Sequence, residues 1–255
     1  MPSPRVKEII RKALPRRVRP YSVKHGLLKG AQIITSWHDY PGAILGRTES
    51  QLLNWFFQNV SFGETWLDVG AHYGYTAVAL SRLVGPFGRV FAFEPVLSTA
   101  AHLERTRELN GLNQLTILPF ALGGVPKMYT LTLPKVRGMA DSTISLAGVT
   151  ERILTLSLDV LWPLLSSSYS VIHGIKIDVQ GMEFEVLQGM SQVLRCFAPK
   201  LVVEFHRGVD RDGILRYLHG IGYSIPCRAL NGEISHALVD DNSYVFESEA
   251  VKCEF

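Results

Sequence analysis

The residues whose types and spacing could do chemistry fall into two groups. The first is Asp68, Gly70 and Gly74 within Glu64-Thr-Trp-Leu-Asp-Val-Gly-Ala-His-Tyr-Gly-Tyr-Thr-Ala77, followed twenty residues after Gly74 by Glu94 in Phe91-Ala-Phe-Glu-Pro95. A glycine turn lets a ligand approach backbone N–H groups at the start of a helix. An acid about 20 residues further on, at the end of the next strand, accepts the two hydroxyls of a ribose. The second group is Lys176, Asp178, Glu183, Glu204 and His206, which carries acid–base chemistry.

Asp178 lies at the C-terminal end of the apolar run Gly174-Ile-Lys-Ile-Asp-Val179, where ligands of open α/β sheets bind. A hydroxyl is a poor nucleophile while protonated, so a carboxylate there suits a general base. The competing role for Asp178 is N-cap of the following helix, which Asp favours. Lys176 and Asp178 share one strand face by the period of two, as do Glu204 and His206 on the next strand, so a buried Lys176–Glu204 ion pair is expected. His206 is a second candidate base. With Asp178 and Glu204 it could instead hold a divalent cation, a reading not favoured because a lone strand-end His is more often structural. Glu183 and Glu185 open the helix after Gly181, where acids suit the helix dipole without any further role.

Alternating strand and helix patterns must position these groups. Thr48 to Phe57 reads as an amphipathic helix capped by Thr48. Then come strand 65–69, helix 75–83 closed by Gly85, strand 89–93, helix 98–109 closed by Gly111, and strand 115–118. This order predicts a parallel sheet with helices on both faces. Residues 127–133 and 152–158 alternate like strands around the Gly-, Ser- and Thr-rich 136–148, a candidate lid. The rhythm resumes with strand 174–179, helix 182–193, strand 200–206 and a helix 212–218 capped by Asp210 or Asp212. Residues 223–227 and 243–247 then read as a closing antiparallel pair.

The glycine spacing separates cofactors. A dinucleotide loop has Gly-x-Gly-x-x-Gly, whereas Ala71 and His72 follow Gly70 here, in the pattern Asp-x-Gly-x-x-x-Gly. That pattern resembles the S-adenosylmethionine loop of class I methyltransferases. Lys176-Ile-Asp-Val-Gln-Gly-Met-Glu-Phe-Glu-Val-Leu-Gln-Gly189 and Leu201-Val-Val-Glu-Phe-His206 resemble the fourth- and fifth-strand signatures of the FkbM family.

The resemblance implies a Rossmann-like sheet of seven strands and S-adenosylmethionine as cofactor. It also implies O-methylation of a hydroxyl on a sugar, glycan or polyketide-type product. Glu183 matches the family motif as a residue facing the acceptor. Glu49 resembles the upstream acid that reaches the cofactor's methionine end, with a plain surface-helix acid as the alternative. Phe120 and Ala121, after the third strand, are placed to stack on or flank the adenine, although Phe120 equally suits the core. His72 stands where the family often has Asn, and Gln180 where it usually has Glu. The competing functions are an S-adenosylmethionine-binding module without catalysis and, behind it, an NAD-type oxidoreductase.

With 255 residues, 47% of them hydrophobic and 19% charged, the chain suits one α/β domain over 48–255 behind a basic extension, 1–47. Residues 1–29 hold nine Lys and Arg against Glu8 alone, so the formal charge of +3 belongs to the extension. Val6, Ile9, Ile10, Ala13 and Leu14 permit a short amphipathic helix there. A solvated arm, an anionic membrane surface and an acidic partner remain open for it. A nucleic-acid role is not expected, since no aromatics interleave the charges. Scattered Cys196, Cys227 and Cys253 fit a reducing compartment. No secretory leader is read, so the chain is expected in the cytoplasm, with peripheral membrane contact left open. Nothing in the sequence fixes an oligomeric state.

Overall fold

The computed structural model of the chain describes residues 14–134, 148–166, 171–235 and 238–248. Along the chain run β1 (Arg19–Ser22), β2 (Gln32–Thr35), α1 (Pro41–Leu45), α2 (Ser50–Asn59), β3 (Thr65–Val69), α3 (Tyr75–Val84), β4 (Arg89–Phe93), α4 (Leu97–Leu109), β5 (Leu115–Leu118) and β6 (Ala121–Leu122). There follow β7 (Lys127–Pro134), β8 (Gly148–Leu156), α5 (Leu158–Leu165), β9 (Gly174–Ile177), α6 (Glu183–Gln188), α7 (Ser191–Phe197), β10 (Lys200–Phe205), α8 (Arg211–Gly220), β11 (Cys227–Ala229), β12 (Ile234–Ser235) and β13 (Asn242–Phe246).

The main sheet has the order β12-β11-β13-β10-β9-β3-β4-β5, eight strands among the described residues rather than the seven expected. Six of the seven expected strands lie at their expected places, the strand expected over 223–227 is instead Cys227–Ala229 with Tyr223 in an isolated bridge to Ser248, and the short β12 extends the edge by pairing with β11. From β10 to β5 neighbouring strands run parallel, and β13 closes antiparallel against β10. The period of two sorts the core. Trp66, Val90, Ala92 and Val202 face one apolar layer, shared with α2, α3 and α4. Leu67, Val69, Phe91, Phe93, Ile175, Ile177, Leu201 and Val203 face the other, shared with α6, α7 and α8. Strands β6, β8 and β7 form a separate three-stranded sheet. The residues between β7 and β8, which hold the candidate lid up to Gly148, lie outside the described residues.

Several expectations change. The helix expected over 182–193 is two helices, α6 and α7. Its ladder breaks at Gly189, whose carbonyl accepts from the Ser157 hydroxyl at 2.7 Å and the Asp159 N–H at 3.0 Å. The Asp159 carboxylate then accepts from the Gln192 and Val193 N–H groups at 3.0 Å each, starting a new helix. Helix α2 has Glu49, not Thr48, as its N-cap, in a left-handed conformation (φ 52°). At α8, Asp210 is the cap, accepting from the Gly213 N–H at 2.9 Å.

Residues 19–45, counted with the extension, form a hairpin and a short helix. The hairpin is tied to α4 by Gln32 N–H to Asn110 Oδ1 and Ile34 N–H to Thr106 Oγ1, both 3.0 Å. Val23, Leu28, Ala31, Ile33 and Ala43 are buried in the first core layer. Of the amphipathic stretch 6–14, all but Leu14 lies outside the described residues. Among the described residues no helix is long and apolar enough to cross a membrane.

Candidate active site

A cavity of about 390 Å³ opens at the C-terminal ends of β3, β4, β9 and β10. That size falls in the range of about 300–1,000 Å³ usual for small-molecule sites. One side is apolar, with Phe93, Val96, Ala121, Leu122 and Met182. The other carries Glu49, Asp178, Glu204, His206 and, at the exposed rim, Asp241.

Glu94 forms the floor of the apolar side. Its Oε2 accepts from the His72 N–H at 2.9 Å and its Oε1 from the Val96 N–H at 3.0 Å, which fixes the carboxylate plane and leaves a lone pair on each oxygen. Burial pushes its carboxyl up to about 7, because the two backbone bonds only partly offset desolvation. His72 is held at φ 49°, in the left-handed region that His, with Asn and Asp, enters more often than other side-chain-bearing residues. Burial lowers its imidazole to about 4, so the ring is neutral at pH 7. The ring lies edge-on to Tyr40, at 5.6 Å between centroids.

Asp68 and Gly74 support the site from beneath. Asp68 is fully buried on β3, accepting from the Thr76 hydroxyl at 2.6 Å and lying 3.2 Å from Lys176 Nζ. Gly74 starts α3 at φ 85°, and a Cβ there would meet Leu103 Cδ1 at 2.0 Å. At Gly70 (φ 80°) a Cβ would meet the Asp178 carbonyl oxygen at 1.8 Å. The glycine is therefore needed for the close approach of the β3 and β9 ends, as well as for any ligand.

The acid–base cluster differs in detail from the expectation. Lys176 pairs with Asp68 and Asp178 (3.2 and 3.5 Å) and donates to the Gly70 carbonyl at 3.1 Å, rather than pairing with Glu204. Register explains this: Lys176 stands beside Asp68 on β3 and beside Val202 on β10. Burial alone would lower the Lys176 pKa, but the flanking carboxylates outweigh it and hold it raised, hence charged. Glu204 instead accepts from the Ser243 hydroxyl at 3.2 Å, and burial, with Asp178 and Glu49 nearby, pushes its carboxyl up to about 7.

Asp178 is not a helix cap. Helix α6 starts from Met182, and the Asp178 side chain, about a quarter exposed (26%), faces the cavity. Glu183 does not line the cavity. It is fully buried behind His206, with Oε1 taking the His206 Nδ1 bond at 2.8 Å and the Gly181 N–H at 3.1 Å. His206 Nε2 then points to the cavity side, 3.5 Å from Asp178 Oδ1 and 3.6 Å from Glu204 Oε1. Burial would lower the His206 pKa, but the Glu183 hydrogen bond and the charges of Asp178, Glu183 and Glu204 prevail and raise it. The Gln180 amide nitrogen reaches both His206 Nε2 (2.8 Å) and Asp178 Oδ1 (3.2 Å). Asp178, Glu204 and His206 bring their donor atoms within 4.8 Å of one another, a set with the chemistry to hold a divalent cation. The position between Asp178 and His206 is taken by the Gln180 amide as a hydrogen-bond donor.

Residues 68–225 match the family described as the methyltransferase FkbM domain. This chain belongs to that family. It is an S-adenosylmethionine-dependent methyltransferase of the class I fold. The chain is 27% identical over 187 residues to the hexuronic acid methyltransferase AglP of Haloferax volcanii, covering 72% of this chain and 74% of that protein. Its fold matches the crystal structure of a methyltransferase FkbM from Methylobacillus flagellatus KT, with TM-score 0.50 and 19% identity over 72% of this chain. This chain spans 43% of the length of that one.

The FkbM domain's cavity fits the cofactor. A buried carboxylate with one lone pair free on each oxygen suits the ribose diol. The apolar side suits the adenine, and the carboxylates beyond it suit a sulfonium and an ammonium group. Glu49, with its carboxyl raised by burial, lines the cavity near Tyr40 and Thr48. Phe120 does not line it. Its half-buried ring packs against Phe93 at 5.8 Å, in the core. Tyr40, Tyr75 and Asp241 line the cavity without having been singled out in the sequence. Tyr40 falls in the supposed extension, Tyr75 reads as ordinary helix start, and Asp241 sits in a turn with no motif. Only the Tyr-Pro pair at 40–41, a helix-start signal, hinted at the first.

Proposed function

We propose that this FkbM domain O-methylates a hydroxyl of a sugar or glycan, with uronic-acid-containing glycans as the first acceptor class to test. The observation that carries the reading is the Glu183–His206 pair, whose Nε2 opens, with Asp178, onto the same cavity that Glu94 floors. When bound, S-adenosylmethionine supplies a methyl group made electrophilic by its sulfonium. Glu94, with the Gly70 turn and His72 backbone, holds the nucleoside end, and Glu49 lies toward the methionine end.

The chain's own work is to seat the acceptor and take its proton. A hydroxyl seated between Asp178 and His206 donates its single proton to His206 Nε2, and His206 is the base because Glu183 stabilises the imidazolium that forms. Lys176 limits the charge of Asp68 and Asp178, so the site holds several carboxylates without expelling them. The acid-lined wall suits the hydroxyls of a polyol. The sugar named for AglP favours a glycan acceptor over a polyketide-type one.

The test is purified protein with isotope-labelled S-adenosylmethionine and a panel of uronic acid glycosides, neutral glycosides and a polyketide hydroxyl. The reading requires methyl incorporation into a sugar. Binding of S-adenosylhomocysteine without transfer to any acceptor would instead identify a binding module without catalysis.

A further inference from the structure

We propose that Gln180 is a positioning residue that fixes His206 as the Nδ1–H tautomer and holds its Nε2 lone pair at the place the acceptor hydroxyl will take. The inference rests on the reading of His206 as the base. One amide nitrogen lies 2.8 Å from His206 Nε2 and 3.2 Å from Asp178 Oδ1. A carboxylate only accepts, so the atom facing Asp178 is the amide N–H donor, and His206 Nε2 beside it must also accept. On the far side of the ring the buried Glu183 carboxylate, likewise an acceptor, takes the Nδ1–H at 2.8 Å. The two contacts agree on one tautomer, the one a general base requires.

The backbone at this position is held for the purpose. Gln180 sits at φ 58°, a conformation unfavourable for a side chain with a Cβ, next to Gly181 at φ 106°. The left-handed turn at Gln180, which the following glycine permits, carries the amide to the end of β10, where it reaches His206. The amide nitrogen also marks where a donor meets both acceptors, so an incoming hydroxyl displaces it and gives its single proton to His206 Nε2.

This gives Gln, where the family usually has Glu, a chemical consequence. A glutamate at 180 accepts rather than donates, and both sides of the ring would then call for N–H, turning His206 into an imidazolium clamped between carboxylates. The groups facing the ring are Glu183 from α6, Asp178 from the end of β9 and Glu204 on β10. Lys176, 3.5 Å from Asp178, and Glu49 line the same cavity. Of these, Lys176 alone is positive, so an added carboxylate meets little opposition.

The experiment is 15N NMR of the ring nitrogens in histidine-labelled protein, with the His206 signals assigned by their loss in His206→Gln. The expected result is the Nδ1–H tautomer in the wild type at pH values above the His206 titration, where the ring is neutral. In Gln180→Glu the His206 titration should move up by about one pH unit or more, with the acid limb of the kcat/KM profile moving the same way. Gln180→Gly tolerates the left-handed backbone and keeps the test alive should the Glu variant not fold. It is expected to lower kcat at least tenfold without changing S-adenosylhomocysteine affinity. An Nε2–H tautomer in the wild type, an unmoved titration in a folded Gln180→Glu protein, or an unchanged kcat in Gln180→Gly would overturn the proposal. The ring signals are read without an acceptor, so failure to methylate any sugar would count against the proposed function and leave this result separate.

Discussion

Replacing Glu94 by Gln probes the cofactor half of the site with little change of shape. The wild-type carboxylate accepts two backbone N–H bonds, from His72 and Val96, and has one further acceptor position on each oxygen. An amide has one oxygen, so its NH₂ must face either a backbone donor or a ribose hydroxyl, and a charge-assisted bond becomes a neutral or an unmade one. Losing one such bond and weakening the other costs about 2–3 kcal/mol, roughly 30- to 150-fold in affinity. The assay is isothermal titration with S-adenosylhomocysteine, with thermal melting as the control for folding.

The pH dependence is a second signature of the same group. Burial holds the free Glu94 carboxyl at about 7, and ribose hydroxyls favour the ionised form. The complex therefore binds fewer protons than the free protein, so affinity rises with pH through about 7 and protons are released on binding. In Glu94→Gln this dependence should flatten. A variant that melts normally and binds within twofold of the wild type at both pH 6 and pH 8, values chosen on either side of about 7, would refute the assignment of Glu94 to the ribose.

Asp178→Asn should lower turnover by about 10²-fold or more while leaving S-adenosylhomocysteine affinity and helix content unchanged, since Asp178 touches the cavity but caps no helix. Full activity in the folded variant would remove Asp178 from the chemistry. Gly70→Val should reduce activity through the shifted Asp178 carbonyl even where cofactor binding survives. Paired single-turnover and binding measurements decide that. Folding stability of the ligand-free protein should fall as pH rises from about 4.5 to about 7. The unfolded Glu94 ionises first while the folded one keeps its proton, a difference worth about 3 kcal/mol that melting curves of wild type and Glu94→Gln resolve. Chelators should leave turnover unchanged, because Gln180 bridges Asp178 and His206 as a donor. Loss of activity restored by Mg²⁺ or Mn²⁺ would make Asp178, Glu204 and His206 metal ligands instead.

The parts of the fold that could be read from sequence are those where local pattern and tertiary environment agree. Residues 65–69 and 89–93 are apolar runs bounded by turn residues, and both strands have the expected limits. The break at Gly189 was not legible, because its cause is the Ser157 and Asp159 groups arriving from thirty residues upstream. The period of two put Lys176 and Asp178 on one face correctly. It said nothing of which strand lay beside Lys176, and so the wrong acid was paired with it. Glu183 was found by motif, but helical position alone could not show that it turns inward to His206 rather than toward the acceptor. Tyr40 lines the cavity from the segment after the hairpin, which is tied to α4 by bonds between residues more than seventy apart.

The central claim is transfer of a methyl group from S-adenosylmethionine to a sugar hydroxyl whose proton passes to His206. Its most direct test is the chemical form of the methylated product from a uronic acid glycoside, compared between wild type and His206→Gln. The account requires an alkali-stable methyl ether whose formation falls by about 10²-fold or more in the variant. An alkali-labile methyl ester on the uronate carboxylate, formed equally well by both proteins, would contradict it.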